Sequence, residues 1–100
     1  MENSQLITGI EEKLKLILFI SGMSPKSSHA IQNLKKICTE YLEDNFDLDI
    51  VDIGQEIQMA LDYQIIAIPT LIKINPTPSR IILGDLSDTE KVLRILDINT

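Results

Sequence analysis

Five consecutive apolar residues, Leu16-Ile17-Leu18-Phe19-Ile20, constrain this chain more than any other feature. The run is far too short to span a bilayer. It is also too uniformly apolar for a strand with one wet face. It fits a central strand buried on both faces, which requires a sheet covered by helices on either side. The strand is read over 14–21, with Gly22 breaking it. A chain of 100 residues suffices for one domain, and 44% apolar content can fill its core without staples. Residues 1–12 read as a flexible, polar N-terminal arm, and 13–100 as the folded domain.

The elements after the strand follow from local chemistry. Ser24 is a suitable N-cap, and Pro25 suits the first helical position, where a missing N–H costs nothing. Ala30, Ile31, Leu34, Ile37, Cys38, Tyr41 and Leu42 then recur at helical period, so a helix is expected over about 25–42. A second strand is read over 48–53, with Leu48, Ile50 and either Val51 or Ile53 turned inward. A short helix over 55–63 carries Ile57, Ala60 and Leu61. A third strand follows over 70–74. The two prolines of Asn75-Pro76-Thr77-Pro78-Ser79 force a turn, and a fourth strand over 80–83 pairs back antiparallel. Ser87-Asp88-Thr89-Glu90 has the form of a capping box before a last helix over 88–96 that buries Val92, Leu93, Ile95 and Leu96. The order β-α-β-α-β-β-α, two βαβ-style crossovers with a closing hairpin and helix, is that of a three-layer thioredoxin-like α/β domain. In that fold the proline before the third strand is cis, so a cis Pro69 is expected.

Composition removes several classes of function. The net charge is -6, and Phe19, Tyr41, Phe46 and Tyr63 are the only aromatic residues. Nucleic-acid binding is disfavoured on both counts, and an anionic membrane surface on the first. Cys38 is the single cysteine, so no internal disulfide can form. No basic start followed by a long apolar run marks the N-terminus, and a cytoplasmic protein is the default reading.

The thiol site of a thioredoxin would fall on Gly22-Met23-Ser24-Pro25-Lys26-Ser27, which holds no cysteine. Without a thiolate there is no nucleophile for disulfide exchange. Cys38 falls on the apolar stripe of the helix and reads as core. Ser24, Ser27 and Ser28 could hold an anion at the helix start, but capping explains them. His29 stands without a nucleophile elbow and reads as solvent-facing. Asp47 and Asp49 alternate along a strand, with Asp52 out of step, which suits a solvated face better than a metal site. No cofactor is expected. Met23, at an exposed loop, is an adaptable side chain for a partner surface.

Several segments together resemble the KaiB family. They are Phe19-Ile20-Ser21-Gly22-Met23-Ser24-Pro25, with Ser27 and Ala30 beyond; Ile68-Pro69-Thr70-Leu71 with Lys73; and Arg80-Ile81-Ile82-Leu83-Gly84-Asp85-Leu86-Ser87 before Glu90-Lys91-Val92-Leu93. The resemblance runs over about 14–98. It implies an adaptor without catalytic activity that binds a KaiC-like hexameric ATPase or another signalling protein in bacterial timing or stress adaptation. It also implies a homo-oligomer, dimer or tetramer, and fold switching. The ground state of the family rearranges the second half of the chain, and that arrangement is the alternative fold. Partner-binding positions implied are Met23, Lys26, His29, Phe46, Asp49, Lys73 and Arg80. Fold-defining positions are Pro69, Gly84, Asp85, Ser87, Ile95 and Asp97.

The chain departs from the family pattern at informative places. His29 stands where a basic residue is usual, Asp49 where lysine is usual, and Ile81 replaces the second of two arginines. Reversing a charge at an interface can turn attraction into repulsion. Ile95 replaces a glycine, which favours a final helix by removing the glycine penalty and adding apolar burial. The competing functional class is a thioredoxin-like enzyme, or a glutathione- or peptide-binding protein, using the Ser24 region and Pro69.

Overall fold

A computed structural model describes residues 13–43 and 45–98. The expected arm, residues 1–12, lies outside the described residues, as does Asp44. Strand β1, Leu14–Ile20, is followed by helix α1, Pro25–Ile37, strand β2, Phe46–Asp52, and helix α2, Ile57–Asp62. Strands β3, Thr70–Asn75, and β4, Arg80–Leu83, then lead to helix α3, Thr89–Ile95. The strands form one sheet in the order β2-β1-β3-β4, so the apolar run occupies an interior strand as its composition requires. β1 pairs parallel with β2 and antiparallel with β3, and β3 pairs antiparallel with β4. The second crossover therefore differs from the βαβ-style connection expected from the sequence: β3 returns against β1 rather than alongside it.

Period-two alternation divides the core between the two faces of the sheet. Leu14, Leu16, Leu18 and Ile20 of β1, with Leu71 and Ile82, pack against α1 and α3 through Leu34, Ile37, Val92 and Leu96. Ile17 and Phe19 turn the other way, with Val51 and Ile72, against Met59, Ile65 and Ile68 around α2. Phe19 is fully buried and meets the half-exposed ring of Tyr63 at 5.6 Å between centroids. The first face is the larger core, because α1 and α3 cover it along its length.

The second face is covered at one end only. α2 has six residues, and its Ile57 and Leu61 point outward. Met59 and the following Ile65 and Ile68 pack inward instead. So short a helix leaves Asp47 and Asp49 of β2 in water, and Ile81 and Leu83 of β4 exposed as well. Ile50, expected inside, is exposed near the open edge of β2, while Val51 is buried.

Cap chemistry sets the helix ends. The Ser24 Oγ accepts from the Ser27 N–H at 3.3 Å, with Pro25 in the first turn. α1 continues without a break into a wider π-helical turn over Cys38–Leu42, so the expected 25–42 helix is one path of two pitches. The last helix is capped one residue later than the capping box predicts. Asp88 is the N-cap, accepting from the Lys91 N–H at 3.1 Å. At the other end the Ile98 N–H donates to the Leu93 carbonyl, and Asp97 takes the left-handed conformation (φ 59°) common just past a helix. Ile95 packs against the larger core, so the segment where the family carries glycine is helical here.

Candidate functional site

The C-terminal end of β1 meets the start of α1 in a loop, Ser21 to Ser24, that is held from three directions. Gly22 adopts φ +54°, which favours a residue without Cβ, and its N–H donates to Asp52 Oδ2 at 3.2 Å. Asp52 Oδ1 accepts from the Gly54 N–H at 2.8 Å, so one carboxylate at the end of β2 ties down two turns. The Ser21 N–H donates to the fully buried Oγ of Ser27 at 3.1 Å. Ser24 closes the constellation as the helix cap. These bonds satisfy backbone donors that would otherwise be orphaned where a strand turns into a helix.

The loop carries Met23 at its tip, 84% exposed. An apolar side chain in water on a tethered loop is an available contact surface. Pro69 follows the expected course: the Ile68–Pro69 bond is cis and the residue is buried. Thr70 pairs with Phe19, which puts Pro69 at this same end of the sheet. The Pro69 carbonyl accepts from the Gly84 N–H at 3.0 Å. Gly84 takes φ +104°, a second position that suits glycine. Asn33 of α1 donates to the Asp85 carbonyl at 2.8 Å, which locks the 84–87 segment to the first helix.

Asp85 gathers the charged residues of this end. Its carboxylate is held below the usual range, first by a hydrogen bond from the Ser87 hydroxyl and then by the Ser87 N–H at 3.0 Å, with the Lys26 and His29 charges helping. Partial desolvation works the other way. Met23, Lys26 and His29, together with Gly84, Asp85 and Ser87, thus belong to one exposed region around the start of α1.

The remaining residues singled out in the sequence are elsewhere. Phe46 pairs with Leu14, and Arg80 with Lys73, at the opposite end of the sheet. Phe46 is half-buried and Arg80 exposed. Asp49 is exposed midway along the edge strand, opposite Ile17. Lys73 cannot serve as an ordinary surface contact: it is 1% exposed, because it follows Leu71 on the face covered by α1 and α3. Its Nζ is 3.9 Å from Asp97 Oδ2. Ile95 and Asp97 belong to the end of α3, in the same half of the molecule. The seven partner positions therefore form two groups and a lone aspartate, not one patch.

Cys38 is buried, and burial pushes its thiol up to about 11, so it offers no thiolate near neutral pH. Among the described residues no three His, Cys, Asp or Glu side chains converge as a metal site, and no helix is long and apolar enough to cross a membrane. The tethering roles of Asp52, Ser27 and Asn33 are not reached by sequence reasoning. Asp52 was visible only as an aspartate out of phase with its neighbours, and that phase break was the available signal.

Comparison with known proteins is consistent with this geometry. The family model for the KaiB domain matches residues 17–98. The chain is 44% identical over 86 residues to the circadian clock protein KaiB3 of Synechocystis sp., covering 86% of this chain and 84% of that one. It is 42% identical over 83 residues to the circadian clock oscillator protein KaiB of Microcystis aeruginosa, covering 83% and 80%. Among solved structures, the N-terminal domain of Synechococcus elongatus SasA matches with a TM-score of 0.73 at 24% identity, covering 94% of this chain and 92% of that one. The Drosophila thioredoxin Deadhead matches at 0.70 and 14% identity, covering 87% and 81%. At such identities these structures establish the thioredoxin-like fold.

Proposed function

The chain belongs to the KaiB family, and from that premise we propose that it is a non-catalytic adaptor that docks on a KaiC-like hexameric ATPase or a related signalling protein in bacterial timing or stress adaptation. The observation that carries this reading is the loop at the start of α1. The fold keeps the geometry of a thioredoxin site, with its cis proline at the same sheet end, yet Met23 and Lys26 stand where reactive thiols would, with His29 one turn further along α1. Asp52, Ser24 and Ser27 hold that loop in place, which lowers the entropy lost on docking. The surface offers an adaptable apolar tip beside two basic-type side chains and the Asp85 carboxylate.

Asp49 works against a partner surface evolved for lysine at that position, so the partner of this chain carries compensating charge there. Binding of the full chain to a KaiC-type ATPase, followed by surface plasmon resonance, tests the proposal. Met23→Ala and Lys26→Ala each weaken binding by about tenfold, in the range of a modest interface anchor. Asp49→Lys improves binding to a clock-type ATPase. Unchanged affinity in both alanine variants, or robust insulin reduction by the wild-type chain, overturns the reading.

A further inference from the structure

The two outer strands of the sheet are guarded unequally. An outer strand exposes unpaired backbone groups, and charged side chains along it discourage pairing with another chain. β2, at one side of the sheet, carries Asp47, Asp49 and Asp52. β4, at the other side, reads Arg80-Ile81-Ile82-Leu83, and its one charge stands at the first position. Ile81 is 61% exposed and Leu83 55%. Among the described residues no strand pairs with the outer side of β4.

The hydrogen bonds of β4 fix what that side offers. The Gly84 N–H donates to the Pro69 carbonyl at 3.0 Å. Along an antiparallel pair, bonded and non-bonded positions alternate. Gly84 and Ile82 therefore turn their backbone groups toward β3, and Ile81 and Leu83 turn theirs outward. The side chains of Ile81 and Leu83 lie on the face away from the larger core, because Ile82 between them is buried in that core. The edge thus presents N–H donors, carbonyl acceptors and exposed aliphatic side chains at the same two residues. A groove of about 280 Å³, lined by Tyr63, Ile65, Ile66, Ile81 and Leu83 among others, adjoins it. Ile66 there is 91% exposed.

We propose that β4 pairs antiparallel with β4 of a second copy of this chain, about a two-fold axis at Ile82, so that one sheet runs through both copies. Ile81 then lies opposite Leu83 of the second copy, and Leu83 opposite its Ile81. Each of these pairs exchanges both of its N–H···O bonds and sets two aliphatic side chains side by side. Arg80 falls opposite Gly84, so like charges do not meet. The edge is complementary to itself, which selects a second copy over a polar or charged strand. Pairing through β2 instead sets aspartates against aspartates, so association closes at the dimer. A strand of four residues alone falls short of the roughly 800 Å² per partner of a standard interface. Tyr63 and Ile66 extend the contact beside it, and a dissociation constant in the micromolar range is expected. The pairing uses none of Met23, Lys26 and His29.

Sedimentation equilibrium of the full chain, from about 1 μM to about 1 mM, tests the proposal. A monomer–dimer equilibrium is expected. Ile81→Arg and Leu83→Lys, both at exposed positions, each weaken it at least about tenfold. Two readouts on the wild-type chain do not depend on how a variant folds. In a mixture of ¹³C-labelled and unlabelled chains, intermolecular NOEs join the Ile81 and Leu83 methyl groups. The Ile81 and Leu83 amides gain protection from exchange as concentration rises. A monomer at every concentration, or self-association unchanged in Ile81→Arg, overturns the proposal. So does equal protection of the two amides at every dilution, the result expected if a segment of the same chain covers the edge.

Discussion

At one end of the sheet the Asp52 carboxylate accepts two backbone N–H groups, at 3.2 and 2.8 Å, and a serine-capped helix begins beside it. At the other end the Lys73 ammonium is enclosed by α1 and α3, and among the described residues its one acidic neighbour is Asp97 at 3.9 Å. The first end distributes its polar groups over several short bonds near water. The second concentrates one charge in an apolar surrounding. The difference teaches where each end is vulnerable. A distributed network loses modest amounts per substitution, whereas a lone buried charge is exposed to any change of sign.

The largest expected effect tests that contrast with one substitution made at both ends. Lys73→Glu sets a second carboxylate beside Asp97 in a buried position and costs about 3 kcal/mol or more, in the range of broken buried pairs. Lys26→Glu, on the exposed first turn of α1, costs less than about 0.5 kcal/mol. Urea unfolding of the two variants provides the comparison. Equal losses would show that Lys73 is not enclosed in solution.

Next in size is the carboxylate that organises the loop. Asp52→Ala leaves the Gly22 and Gly54 donors without their partner and costs about 1–2 kcal/mol. Asp49→Ala, on the same strand but in water, is close to neutral. Hydrogen exchange at Gly22 and Gly54 quickens only in the first variant. Protection unchanged in Asp52→Ala would dissolve the distributed network. Ser24→Ala follows, at about 1 kcal/mol for a lost N-cap. Its effect combines non-additively with Asp52→Ala because both act on one short loop.

The sequence disclosed the two ends unequally. The apolar run at 16–20 and the Ser24-Pro25 cap carry their structural meaning in residue type, since period and capping chemistry are local, whereas the cis Pro69 is legible only through the fold. The role of Asp52 is set by a loop thirty positions earlier, which no local rule reaches. Lys73 misled because lysine is normally exposed, and only the alternation Leu71, Lys73 shows that it shares the covered face. Ile57 and Leu61 of α2 are exposed. Helical spacing identifies a shared stripe without saying that the helix is long enough to bury it. The seven partner positions rest on resemblance, and resemblance has no geometry, so their division into two groups and the lone Asp49 is not legible in the sequence.

The smallest effect lies in the pH response of the loop end. The Asp85 carboxyl is held below its ordinary 3.8, chiefly by the Ser87 hydroxyl. A folded-state pKa below the unfolded one means that the folded state releases the proton more readily. The resulting stabilisation is complete above the ordinary pKa and disappears as pH falls through the folded value, so its window lies below about pH 4. At neutral pH the contribution is fully present and does not change with pH. Carbon-detected NMR titration of Asp85 should give a midpoint under 3.8, and Ser87→Ala should raise it while leaving it still depressed, because alanine keeps the backbone N–H that donates to Oδ1. Lys26→Ala raises it less, since that contribution is through space and falls further with added salt. A midpoint in Ser87→Ala equal to that of the wild type would remove the hydroxyl from the network and leave Asp85 held by the backbone alone.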